Sequence, residues 1–138
     1  MNLRIQPISF GMAIPNQQDS KNQLTFQYTN ELKTLFRKGL LPTVKIDVMG
    51  NKLTKKNVTL DHIIPKSKGG KSVTGNYMLA EKTFNWERGN APLKDWATPE
   101  GIIKYLNQFI GVRVRNFIGN DYIAEVLKTL DMANELGV

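Results

Sequence analysis

The chain has 138 residues, enough for one domain with a modest hydrophobic core and short for two. Its 41% hydrophobic and 22% charged residues are those of an ordinary globule, and 19 Lys and Arg against 12 Asp and Glu leave a net charge of +7, which suits nucleic acid or another anionic partner without requiring one. The absence of cysteine and the single histidine exclude disulfides, thiol nucleophiles and a structural zinc site, so any metal would be held mainly by oxygen, as magnesium, manganese and calcium are.

Residues 1–19, "MNLRIQPISFGMAIPNQQD", scatter apolar residues among Pro7, Gly11 and Pro15 and read as an extended N-terminal arm with a short strand at Leu3 to Ile5. In "SKNQLTFQYTNELKTLFRKG" the apolar residues Leu24, Tyr28, Leu32, Leu35 and Phe36 recur every three or four positions, which predicts an amphipathic helix stopped at Gly39 behind Arg37 and Lys38. Val44, Ile46 and Val48 alternate ahead of the turn signal Gly50-Asn51, predicting a short hairpin that leads into a strand at Val58 to Ile63. "KSKGGKSVTGN" reads as a polar, flexible loop, and "NYMLAEKTFNWERGN" as a strand at about Tyr77 to Leu79 running into a helix from Glu81 to Arg88.

The C-terminal part, 98–138, is predicted to be helical. Thr98 is the N-cap and Pro99 the first residue of a helix whose stripe is Ile102, Ile103, Leu106, Phe109 and Ile110. A last helix starts at Asn120 or Asp121 and turns Ile123, Val126, Leu127 and Leu130 inward. No repeat or linker divides the chain, so 1–138 is expected to be one α+β domain. No apolar run reaches the ~18 residues of a membrane span and no signal-peptide pattern opens the chain, so an intracellular protein without a membrane partner is expected.

The only histidine, His62, directly follows Asp61 in "LTKKNVTLDHIIPKSKGG". Neighbours in a strand point to opposite faces, which disfavours a simple aspartate-oriented histidine dyad. One of the two could serve a metal and the other a reacting group, if the chain bends at "HIIPK"; equally, His62 could be a half-buried imidazole satisfied by a backbone carbonyl. Asn76, Glu81, Asn85, Glu87 and Arg88 are the downstream polar residues able to complete a site. Asn85 interrupts a helical segment between Phe84 and Trp86, where asparagine has no propensity advantage, so it is either a functional residue or a solvent-facing one.

"LDHIIPKSKGG" followed by "GNYMLAEKTFNWERGNAPL" resembles the signature of the HNH endonucleases, over about residues 44–93, roughly a third of the chain. The resemblance implies a ββα-metal core: a first strand at Val58 to Ile63, a second at Tyr77 to Leu79 and a helix from Glu81 to Arg88. It implies that His62 is the general base that deprotonates a water, that Asp61 and Asn85 hold one divalent cation, Mg2+ or Mn2+, and that Asn76 holds the loop and orients the histidine. It further implies a phosphate contact for Arg88, with Lys66, Lys68, Lys71 and Lys82 along the nucleic-acid backbone. The expected activity is hydrolysis of phosphodiester bonds in DNA, most simply double-stranded, by a protein that acts alone, as a homodimer or with a larger protein partner, in a phage, mobile-element or host-defence setting. A nuclease acting on RNA, and a non-cleaving binding or inhibitory protein on the same scaffold, are the alternatives.

Many small members of that family brace the motif with a zinc knuckle of two Cys-x-x-Cys pairs. Here the corresponding positions are Ile46 with Met49 and Glu81 with Phe84, so no structural zinc is expected. Apolar packing by Met49, Phe84 and Trp86, helped by the flanking helices, is expected to support the core instead.

Overall fold

The computed structural model describes residues 31–138; the expected arm at 1–19 and the apolar positions Leu24 and Tyr28 lie outside the described residues. Over these residues the protein is a mixed α+β domain with two small antiparallel sheets. Helix α1, described over 31–37, buries Leu32 and Leu35 and is followed by Gly39 at φ 75°, the left-handed stop that glycine adopts without strain. Strands β1 (Val58–His62) and β2 (Tyr77–Glu81) pair antiparallel, from Val58 opposite Glu81 to His62 opposite Tyr77, and β2 runs directly into α2 (Lys82–Arg88). Helix α3 (Pro99–Asn107), a two-residue hairpin of β3 (Arg113–Val114) and β4 (Phe117–Ile118), and the long α4 (Gly119–Leu136) complete the chain. Among the described residues no helix is long and apolar enough to cross a membrane.

Among the described residues the β1–β2 sheet has two strands, and no third strand pairs with the outer edge of β2. Its buried backbone groups would cost free energy if left unpaired. Three side chains from distant parts of the chain satisfy them. The Tyr122 hydroxyl donates to the Tyr77 carbonyl at 2.7 Å, the Leu79 amide donates to the Tyr105 hydroxyl at 2.8 Å, and the Glu81 amide donates to Oδ2 of Asp47 at 2.9 Å. The two hydroxyls lie 2.8 Å apart; because Tyr122 spends its proton on Tyr77, Tyr105 is the donor between them. Burial raises both phenols above their ordinary pKa, so the relay stays protonated. The same rings stack with Phe109 and Phe117, at 4.7 Å between the Phe109 and Tyr122 centroids, and form the aromatic part of the core.

Thr98 caps α3, its hydroxyl accepting from the Gly101 amide at 3.0 Å, with Pro99 as the first helical residue. The apolar stripes are narrower than their spacing predicts. Tyr105, Leu106 and Phe109 fill the buried arc of the α3 region, which leaves Ile103 and Ile110 exposed. On α4 the inward positions are Tyr122, Val126 and Ala133, with Ile123 and Leu130 partly covered and Leu127 exposed.

The predicted hairpin at 44–52 reduces to a single bridge between Ile46 and Lys52. Gln108 replaces the strand partner: its Oε1 accepts from the amides of Lys45 and Ile46, and its Nε2 donates to the Ile46 carbonyl. Asp47, fully buried, closes the turn by accepting from the Met49 and Asn51 amides and the Asn51 side chain. With the Glu81 amide as a further donor, this carboxylate ties the 46–52 turn to the junction of β2 and α2.

That tie corrects the expectation of apolar bracing. Phe84 is buried against Trp96, but Met49 and Trp86 are exposed, and a hydrogen-bonded carboxylate carries the connection. Asp47→Ala leaves the part-buried amides of Met49, Asn51 and Glu81 without their acceptor, at about 1–3 kcal/mol for a buried group stripped of its partner, partly relieved by entering water. A loss of about 2–4 kcal/mol is expected, read as a lower urea midpoint at unchanged slope.

Candidate functional site

The site is built where β1 ends. Asp61 and His62 are the last two residues of the strand, after which Ile63, Ile64 and Pro65 turn the chain. Although consecutive, both line one cleft of about 280 Å³, together with Lys66, Asn85, Gly89 and Asn90. Three side chains fix the geometry around it.

Asn76 is buried and pins the loop from behind. Its Oδ1 accepts from the Ile64 amide at 2.8 Å, and its Nδ2 donates to the carbonyls of Ile64 and Lys71 at 3.0 and 2.8 Å. The Asn76 carbonyl also accepts from the Ile63 amide. One asparagine therefore holds the backbone immediately after His62, while its side chain stays away from the cleft.

Arg88 occupies a different place from the phosphate contact expected of it. The residue is buried, its Nη1 bonds Oδ2 of Asp61 and the His62 carbonyl, both at 2.8 Å, its Nη2 bonds the Ile63 carbonyl at 2.8 Å, and its Nε bonds the Ala91 carbonyl at 3.0 Å. A planar fork with five donors suits four acceptors spread over two segments, which a lysine could not match. Arg88 clamps the end of α2 to the end of β1 and is withdrawn from any substrate. The choice of Arg over Lys was the one available signal in the sequence.

Asn85 reaches back from α2, its Nδ2 donating to Thr59 Oγ1 at 2.8 Å and to the Leu60 carbonyl at 3.2 Å. With the amide nitrogen committed to β1, Oδ1 is the part of the side chain left for the cleft. The helix that carries it is capped by Glu81, whose carboxylate accepts from the amides of Thr83 and Phe84; those bonds, the Thr83 amide foremost, lower the Glu81 pKa.

The His62 ring packs on Tyr77 with centroids 4.6 Å apart. Its Nε2 is buried and finds no hydrogen-bond partner among the described residues, so they do not supply the backbone carbonyl of the satisfied-imidazole reading for this nitrogen. Burial lowers the His62 pKa below its ordinary 6.5, and the positive charges of Lys66 and Arg88 lower it further. The ring is therefore neutral at pH 7. Burial raises the Asp61 pKa and Asp47 adds to the rise, against the opposing pull of Arg88. Arg88 bonded at 2.8 Å keeps that carboxylate's charge compensated.

The loop after Pro65 is tied rather than flexible. Amides of Lys68 and Gly70 both donate to the Pro65 carbonyl, and Lys66–Lys68 forms a single 3₁₀ turn ended by Gly69 at φ 90°. A Cβ on Gly70 would stand 1.7 Å from the Ile64 carbonyl oxygen, so only glycine lets the loop close against the backbone beside the site. Lys66 stands at the cleft; Lys68 and Lys71 are exposed and do not line it. Lys82 is exposed on α2, along a neighbouring groove.

Among the described residues there is no group of three or more His, Cys, Asp or Glu side chains able to hold a metal. The cleft instead offers the Asp61 carboxylate and, from α2, the amide oxygen of Asn85. Two hard oxygen donors, with room for water and a phosphate, fit a magnesium-like ion that keeps much of its hydration and fit zinc poorly. Gly89 and Asn90 in the cleft wall, and Asp47 behind it, carried no site role in the sequence reading; Asp47 was visible only as an acidic residue opening a Gly-Asn turn.

No protein-family model matches the chain, and no curated protein or solved structure matches it.

Proposed function

We propose that the protein is a divalent-metal-dependent endonuclease of the HNH type that hydrolyses phosphodiester bonds in DNA, with β1, β2 and α2 as its ββα-metal core. The observation that carries this reading is that His62, its pKa lowered so that the ring is mainly neutral at pH 7, lines the same cleft as Asp61 and Asn85. A neutral imidazole lining a cleft that also holds a carboxylate and an amide oxygen can accept a proton from a water there.

In this mechanism the neutral His62 ring takes the proton of a water as the water oxygen attacks phosphorus and the bond from phosphorus to the leaving sugar oxygen breaks, that oxygen taking its proton from solvent. Tyr77 and the Asn76-pinned backbone hold the ring in place, so no reorganisation is needed at the moment of reaction. Asp61, through the oxygen that Arg88 does not hold, and Asn85, through Oδ1, would hold the cation. When bound, the cation supplies positive charge to the phosphoryl and leaving oxygens. Lys66 at the cleft adds charge that favours the phosphate and keeps His62 unprotonated.

Incubation of the purified protein with supercoiled plasmid in Mg2+ or Mn2+ is expected to give relaxed and linear forms, and a chelator is expected to stop the reaction. Plasmid left intact with every metal and at several ionic strengths, yet retarded on a gel, would replace this reading with a nucleic-acid-binding protein that does not cut.

A further inference from the structure

Trp86 is 84% exposed, on a helix whose other aromatic residue, Phe84, is buried. An indole left in water forfeits the burial that ordinarily accounts for a tryptophan in a small domain. It lines an open groove of about 540 Å³, mostly apolar in its walls, with Thr59, Lys82, Thr83 and Asn85. Lys82 precedes Trp86 by four residues and so lies on the same face of α2, and Asn85 lines both this groove and the His62 cleft. The groove is thus continuous with the candidate site through one side chain.

We propose that Trp86 is a stacking platform for a nucleobase of the substrate, next to the phosphate held at His62, with Lys82 on the adjoining phosphate. The proposal rests on the nuclease reading for its register and extends it to substrate structure. The π-face of a base can reach an indole only when the base is out of the duplex stack, so the preferred substrate carries an unpaired nucleotide beside the scissile bond. Apolar walls with the Lys82 cation beside them match a base and its phosphate, and Lys82 repels a cationic peptide face.

The test uses the full chain with Trp96→Phe as background, so that Trp86 is the only fluorophore of its kind. Titration in chelator with single-stranded, hairpin-loop and fully paired oligonucleotides, in DNA and RNA forms, is expected to quench Trp86 with the unpaired substrates most strongly. Trp86→Ala is expected to weaken their binding about 5- to 150-fold and to raise KM with kcat little changed, while Trp86→Phe keeps most of the affinity. Wild-type binding and cutting by Trp86→Ala would overturn the platform and leave the nuclease reading intact. Quenching that Trp86→Ala abolishes, in a protein that leaves plasmid uncut with every metal, would keep the platform and sink the nuclease. Neither quenching nor cutting removes both. A dimer in sedimentation that Trp86→Ala dissociates would overturn the platform in favour of a second copy of the chain on this face.

Discussion

Arg88→Ala is expected to lower the stability of the protein by about 3–5 kcal/mol, a large part of the ~5–15 kcal/mol that holds a small domain together. The substitution strands the Asp61 carboxylate in the interior without its 2.8 Å partner and removes the donors to the carbonyls of His62, Ile63 and Ala91. Arg88→Lys keeps the charge but not the fork, and is expected to fall between the two. Replacing the pair together, Arg88→Met with Asp61→Leu, is expected to recover part of the loss, because neither charge is then left alone in the interior. Urea unfolding of the four proteins reads this directly. A residue facing phosphate would behave in the opposite way: Arg88→Ala would unfold like wild type and lose substrate affinity alone.

His62→Ala is expected to reduce cleavage about 10²- to 10⁴-fold, the range that a positioned general base contributes, with folding preserved because the ring is only partly buried. The pH dependence of kcat/KM follows from the direction of the shift. Burial, Lys66 and Arg88 lower the His62 pKa, so the free enzyme holds a neutral ring down to a pH below 6.5. The rate is therefore expected to be flat across pH 7 to 8 and to fall tenfold per unit only on the acid side of 6.5, as the ring takes up a proton and can no longer accept one. A bound cation moves the acid limb further down, in the same direction. Lys66→Ala removes one of the lowering charges and is expected to move the limb up. A limb centred above pH 7 would mean that the titrating group is not this histidine.

The site region was legible in the sequence to the extent that local pattern encodes it. The strands expected at Val58 to Ile63 and at about Tyr77 to Leu79 are present as β1 and β2, Thr98-Pro99 marked the start of α3, and the family resemblance singled out Asp61 and Asn85, which line one cleft, and Asn76, which holds the backbone after His62. What escaped was non-local. Gln108 substitutes for a strand across some sixty residues, Asp47 ties a turn to α2, and Tyr105 and Tyr122 bond the outer edge of β2. None of these pairings leaves a periodic trace, since each depends on which side chain happens to reach an unpaired backbone group once the chain has folded. Arg88 and Trp86 were read with the wrong exposure for a related reason. Residue type sets a preference for burial, whereas the angular position on a seven-residue helix decides which preference is honoured.

The role given to His62 is tested most directly by single-turnover cleavage of a labelled DNA by His62→Ala in Mg2+, with and without added imidazole at pH 7.5. A slow rate that rises with the concentration of free-base imidazole, towards that of the wild type, is the expected result. Cutting at the wild-type rate, indifferent to imidazole, would contradict it.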